Sequence, residues 1–209
     1  MKNLYLGASI VALSWVISSA ALADDADAIG EVIVTGTRVT GLKAADSPAP
    51  VQVLGEAALK RVGQADLIQA LAQNLPSFTA EAIGGDTGSL TLSAALRGLN
   101  PNDTLVLVNG KRRHTTANLH VLGGPYQGAA TADLSLIPVS AIDHVEVLQD
   151  GAAAQYGTDA IAGVVNIILK NASSGGSASV TGGQYYKGDG ETAAVSLNMG
   201  LPLGEKGFV

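Results

Sequence analysis

AIDHVEVLQDGAAAQYGTDAIAGVVNIILK, residues 141–170, is the stretch on which the fold turns. It reads as two short strands joined by a glycine-rich corner. In Asp143–Leu148 the residues Val145 and Val147 share one face and His144 and Glu146 the other, which is strand periodicity. Asp150-Gly151 marks a turn. Gly157 and Gly163 allow backbone angles or close approaches that a β-carbon forbids. Val164–Leu169 is almost continuously aliphatic, so both faces of that strand are expected to be covered. Such a segment needs a partner that encloses it.

Working outward, Ser47–Pro50 is a turn and Val51–Leu54 a short strand. Glu56–Val62 and Gln64–Leu75 read as two helical pieces broken at Gly63, with Leu67, Ile68, Leu71 and Leu75 on one stripe and Pro76 as the stop. Glu81–Ser89 is expected to be a loop. In Leu90–Arg97, Leu90, Leu92, Ala94 and Leu96 alternate against Thr91, Ser93 and Ala95, as in a strand. Thr104–Val108 is a buried strand ending in Asn109-Gly110, a tight-turn dipeptide. Thr115–Thr131 is long, glycine-rich and aperiodic, the mark of a functional or disordered loop. Leu134–Ile142 leads back through Pro138. Residues 47–170 therefore make an α+β unit, a small mixed α/β domain.

After the linker Asn171–Gly176 the pattern changes. Ala178, Val180 and Tyr186 share a face opposite Ser177, Ser179 and Thr181. Ala193, Val195, Leu197, Met199 and Leu201 alternate with Thr192, Ala194, Ser196 and Asn198. Apolar-out, polar-in alternation over about ten residues is the signature of a transmembrane β-barrel strand. Lys187–Gly190 forms the hairpin, and Tyr185-Tyr186 suits an interfacial aromatic girdle. An amphipathic hairpin on a soluble sheet fits the same alternation. Residues 177–209 hold two such strands and the start of a third at Phe208-Val209, so the reading is the beginning of an incomplete barrel in an N-terminal fragment.

The other end, Met1–Ala23, has one charge at Lys2, an uncharged apolar run and a small-x-small close at Ala21-Leu22-Ala23. This is the pattern of a cleaved export signal, with an uncleaved anchor as the alternative. The 209 residues carry a net charge of −6 and no lysine or arginine stripe, which argues against a nucleic-acid surface. There is no cysteine, hence no disulfide framework or thiolate metal site.

No catalytic constellation is visible, and the expectation is that the chain is not an enzyme and carries no cofactor. His114 and His120 lack zincin spacing and a carboxylate cluster and are expected to be solvated. No dinucleotide or phosphate-loop motif occurs, and no serine sits on a nucleophile elbow. Lys111-Arg112-Arg113 is a basic triplet: a solvated turn, or a group that recognises an anionic chelate.

The pattern VEVLxxGxxxxYGxxAxxGVVNIIxK resembles the closing signature of the plug domain of TonB-dependent outer-membrane receptors. It is carried by Val145, Glu146, Val147, Leu148, Gly151, Tyr156, Gly157, Ala160, Gly163, Val164, Val165, Asn166, Ile167, Ile168 and Lys170. Arg97-Gly98 corresponds to the family's apolar-Arg-Gly element. Gln149-Asp150 stands where many members carry a basic residue followed by glycine, which puts a plug-to-barrel ion pair from that position in doubt.

The resemblance implies a plug over residues 47–170, in an outer-membrane transporter that takes up a scarce substrate, by default a ferric siderophore. It also implies contact with outer-membrane lipid and with a TonB-type energy-transducing protein of the inner membrane. Within the lead-in 24–46, the run 31–38 (EVIVTGTR) then reads as a TonB box, with Glu31, Val32, Ile33, Val34 and Thr35 captured by strand addition; on its residues alone an ordinary N-terminal strand is the better reading, and the resemblance reverses it. Only seven residues separate Ala23 from Glu31, too few for an additional signalling domain. Asp86, Arg113, His114, Tyr126 and Gln127, on the loops taken to face outward, are the substrate-binding candidates. The rival readings are a stand-alone periplasmic plug acting as a binding module and a secreted enzyme with a β-rich tail.

Overall fold

The computed structural model describes residues 32–33, 42–43, 47, 49–62, 66–81, 85–150, 152–204 and 207–208. The expected signal segment 1–23, Gly63 and Gly151 lie outside these residues, as do Glu31, Val34 and Thr35.

Strands β1 (Val32–Ile33) and β2 (Leu42–Lys43) form a two-residue antiparallel ladder of their own. β3 (Val51–Gly55) runs directly into helix α1 (Glu56–Arg61), and α2 (Leu67–Asn74) follows. The aspartate Asp66 caps α2 by accepting the Ile68 amide at 2.9 Å, satisfying one of the unpaired first-turn donors. Asn74 Nδ2 donates to the Ala58 carbonyl at 3.4 Å and to that of Ala70 at 2.8 Å, tying the helices together. β4 (Phe78–Glu81) pairs antiparallel with β5 (Ser93–Leu96).

β4 falls where the sequence reading assigns no strand, reaching the expected loop only at Glu81, and the expected strand from Leu90 is shorter. Thr87–Leu90 is a 3₁₀ turn, and Leu90, 79% exposed, stands outside the strand that its alternation predicts.

β6 (Thr104–Val108), β7 (Lys111–Arg112), β8 (Ile142–Leu148) and β9 (Gly163–Leu169) join β3 in one sheet of order β3-β8-β9-β6-β7. Every neighbouring pair is antiparallel except β6 with β9, which run parallel from Thr104↔Gly163 to Val108↔Ile167. Asn109 (φ +49°) and Gly110 (φ +75°) make the left-handed turn between β6 and β7 that their dipeptide predicts. Between β8 and β9 the glycine corner holds a short helix, α3 (Ala152–Tyr156), and a 3₁₀ turn over Thr158–Ala160.

Each sheet face has its own core, as the aliphatic run of β9 requires. On one face Leu54, Val106, Val145, Val147, Val165 and Ile167 pack in the cluster that holds Leu59, Leu67, Ile68 and Leu71. On the other, Leu105, Leu107, Leu148 and Val164 pack with Ala152 and Ala160, with Val51 and Tyr156 at the margin.

β10 (Gly176–Gly183) and β11 (Thr192–Met199) form a separate antiparallel hairpin. Val180 faces Val195 and Ala178 faces Leu197, and these apolar pairs point outward: Val180, Val195 and Leu197 are more than 70% exposed. Ser179 opposite Ser196 and Ser177 opposite Asn198 occupy the alternate positions. β10 ends at Gly183, so Tyr185 and Tyr186 belong to the turn rather than the strand. β12 (Pro202–Leu203) folds back on β13 (Gly207–Phe208), where the sequence reading expects the start of a third long strand.

Candidate functional site

Two loops of the mixed domain are joined through one carboxylate. Asp86 Oδ1 accepts the Gly88 amide at 3.0 Å, which starts the 3₁₀ turn. Its Oδ2 accepts the Val121 amide at 2.7 Å and the Leu122 amide at 2.8 Å, from the far loop. The Leu122, Val121 and Gly88 amides, with His120 nearby, hold the Asp86 carboxyl below its ordinary value.

His120 is 3% exposed, with Nδ1 3.8 Å from Asp86 and its ring edge-on to Tyr126 at 5.9 Å. The expectation of a solvated His120 is thereby corrected. Gly88 lies against that imidazole so closely that a β-carbon would overlap the ring.

The long loop is also tied to itself. Thr116 N donates to the Thr131 carbonyl at 2.7 Å, His120 N to Ala129 at 3.1 Å, and Gly128 N to His120 at 2.7 Å. Asn100 Nδ2 and Asn102 Nδ2 hold the Pro125 and Gly128 carbonyls at 3.2 and 3.0 Å. An aperiodic sequence thus makes an ordered excursion, because side-chain amides and short backbone ladders satisfy its polar groups.

The five substrate candidates separate accordingly. His114 and Gln127 are exposed. Tyr126 is buried with Ala95 and Ala129, and the Asp86 oxygens are engaged by backbone amides, so both act as supports for the loops. Arg113 is half-buried, with its Nε enclosed. Leu90, Leu119, Val121 and Leu122 add an exposed apolar surface that the sequence reading did not pick out. The Asp86-x-Gly88 spacing was the available signal for the clasp, since aspartate bonds readily to a backbone amide two residues on.

The signature residues build the sheet and its corner. Glu146, expected on a polar face, is fully buried and accepts Asn166 Nδ2 at 2.9 Å, while Asn166 Oδ1 accepts the Gly110 amide at 3.0 Å. This line of polar groups crosses β8 and β9 to the β6–β7 turn and answers the cost of burying them. His144 Nδ1 lies 2.7 Å from Asp143 and its Nε2 3.6 Å from Glu146, an ion-pair separation rather than a hydrogen bond. Glu146, with Asp143 in support, raises the imidazole to about 9 against the opposing effect of burial.

At the other end of β8, Arg97 Nη1 donates to the Gln149 carbonyl at 3.0 Å and to Asp150 Oδ1 at 3.1 Å. Arg97 (φ +59°) and Gly98 (φ +69°) form a tight turn closed by Leu99 N to the Leu96 carbonyl. Tyr156 offers its carbonyl to Arg112 Nη2 at 2.6 Å, and Arg112 also pairs with Asp159. Gly157 has φ +98° and Gly163 φ +145°.

The family model described as TonB-dependent Receptor Plug Domain matches residues 43–164. The chain belongs to this family. Among its relatives, an iron-regulated outer membrane virulence protein of Vibrio cholerae is 32% identical over 77% of this chain and 23% of its own length. A ferric enterobactin receptor of Pseudomonas aeruginosa is 29% identical over 85% of the chain and 24% of the receptor. A vitamin B12 transporter of Vibrio cholerae is 30% identical over 88% and 27%.

The same plug is found in a crystal structure of a ferric enterobactin receptor mutant from Pseudomonas aeruginosa, at TM-score 0.58 and 27% identity, covering 76% of this chain and 23% of that one. A siderophore receptor of Acinetobacter baumannii gives 0.52 and 26%, over 75% and 22%. The chain spans about a quarter of the length of these relatives. In this plug the departure at Gln149-Asp150 leaves the Arg97 guanidinium bonded inside the domain, to the residues at that very position.

Proposed function

We propose that this plug serves a TonB-dependent outer-membrane transporter of a metal chelate, by default a ferric siderophore. The observation that carries the reading is the clasp through Asp86, which holds two loops together at the plug's surface. Substrate settles on that surface, where Gln127 offers a polar group near Leu122 and Asp86, and Leu119 and Val121 of the same loop are exposed. The hairpin β10–β11 supports a membrane setting, since its outward apolar stripe has the alternation of a lipid-facing barrel wall.

On this reading the 31–35 segment is the handle for an inner-membrane transducer that adds a strand to it. Its described part, Val32–Ile33, already pairs with Leu42–Lys43, and the transducer strand replaces that short ladder. The test titrates the full chain with the periplasmic domain of a TonB-type transducer. Binding is expected, with loss in Ile33→Pro, which removes a strand donor, and a gain in Leu42→Pro, which weakens the competing ladder. Unchanged affinity of Ile33→Pro refutes the box, and no binding by the wild-type chain refutes the transducer partnership.

A further inference from the structure

Asn109-Gly110 is the one Asn-Gly pair in the sequence, and it closes the turn between β6 and β7. The pair has a chemistry of its own. A backbone nitrogen that follows asparagine can attack the side-chain carboxamide carbon, and a glycine there leaves the approach open because it has no β-carbon. Gly110 is exposed and Asn109 half-buried, so water reaches the turn.

Three bonds from β9 oppose that attack. Gly110 N, the nucleophile, donates to Asn166 Oδ1 at 3.0 Å. Asn109 Oδ1, on the group to be attacked, accepts the Leu169 amide at 2.9 Å. Asn109 N donates to the Ile167 carbonyl at 2.9 Å and fixes the residue between them. The Asn166 carboxamide is itself held, because it is buried and its Nδ2 donates to Glu146 Oε2 at 2.9 Å. An amide hydrogen engaged by an acceptor is poorly available to base. A carboxamide pinned by its oxygen does not swing onto the neighbouring nitrogen.

We propose that Asn109-Gly110 is a deamidation site, kept closed in the folded domain by the Glu146–Asn166 pair. When the turn opens, Gly110 N bonds to Asn109 Cγ, the Cγ–Nδ2 bond breaks, and ammonia leaves carrying the Gly110 proton. Water then opens the cyclic imide at either carbonyl, giving aspartate or isoaspartate. Isoaspartate lengthens the main chain by a methylene inside the β6–β7 turn, and either product places a negative charge beside Lys111 and Arg112. The site uses none of the loop residues offered to substrate and does not depend on the transport reading.

The experiment incubates the full chain in mildly alkaline buffer, folded and unfolded in guanidinium chloride, and follows aspartate and isoaspartate at position 109 by peptide mass spectrometry with fragmentation. The unfolded wild type is expected to convert at Asn109 ahead of its other asparagines, and the folded wild type at least about ten-fold more slowly. Folded Asn166→Ala is expected to convert at least about three-fold faster than folded wild type, the factor that one hydrogen bond carries. Gly163→Ala, which disturbs the same strand without removing these bonds, is the control for lost stability. Equal acceleration in the two variants overturns the guarding role, as does an Asn166→Ala rate equal to that of the wild type. No conversion at 109 in the unfolded chain overturns the site itself. Where neither variant folds, the wild type decides: amide exchange at Gly110 and conversion at 109 should quicken together as denaturant rises below the unfolding transition. Conversion that stays level while Gly110 exchange quickens overturns the proposal.

Discussion

Arg97 and Asp150 meet across the end of β5 and the exit of β8, Nη1 to Oδ1 at 3.1 Å, and the same nitrogen takes the Gln149 carbonyl. Both side chains are about half-exposed or more, so the ion pair alone contributes about 1 kcal/mol or less. A second cost sits in the backbone, because φ +59° is a left-handed angle that a side chain resists.

Arg97→Ala and Arg97→Gly both lose the pair, but only glycine relieves the angle. Arg97→Gly is therefore expected to be more stable than Arg97→Ala by about 1 kcal/mol in urea denaturation. Identical midpoints for the two variants would show that the turn carries no strain.

Of the two described glycines in the corner, Gly163 is the less replaceable. A β-carbon there would lie 2.6 Å from the Leu148 carbonyl oxygen and 2.9 Å from Leu96 Cδ1, at a backbone angle of +145°. Gly163→Ala is expected to cost about 2 kcal/mol or more, since backbone strain and overpacking act together. A thermal midpoint equal to that of the wild type would contradict this.

Asp86→Ala is expected to release the far loop selectively. Amide exchange should quicken at Val121 and Leu122, whose acceptor is the carboxylate, while Thr116 and Gly128, bonded to backbone carbonyls, keep their protection. The folded carboxyl titrates below the ordinary 3.8, so the clasp's stabilisation is present above that value and is lost as pH falls through the lower folded one. Uniform exchange across the whole loop would mean that Asp86 is not the tie.

His144 titrates in the opposite sense. Its folded value is raised from 6.5 to about 9, so its contribution is complete below 6.5 and fades as pH rises through about 9. The difference in stability between wild type and His144→Gln should shrink over that interval. A difference constant from pH 6 to 10 would remove the Glu146 and Asp143 pairing as its source.

What the sequence disclosed depended on the range of the interaction. Alternation and aliphatic runs located β3, β6, β8 and β9, and the Leu67–Ile68–Leu71 stripe located α2, because these patterns are local. β4 escaped because Phe78–Glu81 is short and its strand character comes from pairing with β5. The burial of Glu146 escaped for a similar reason: its partner Asn166 lies 20 residues away, and period-two reasoning assigns a lone carboxylate to solvent. Of the site, the sequence offers Asp86 and Tyr126 only as substrate-binding candidates on loops, because their inward roles depend on where His120 and the Val121–Leu122 amides come to lie.

The sheet order also constrains the history of the molecule. β9, the last strand of the sheet in sequence, lies between β8 and β6 at its centre. A chain emerging from its N-terminus holds β3, β6, β7 and β8 long before the strand that joins them exists. Until residues 163–169 arrive, β6 and β8 have no common neighbour and the Glu146 carboxylate lacks its asparagine. The domain is thus kept incomplete until its final segment is supplied, which favours a pliable, threadable chain during synthesis and defers its closure to a single late step.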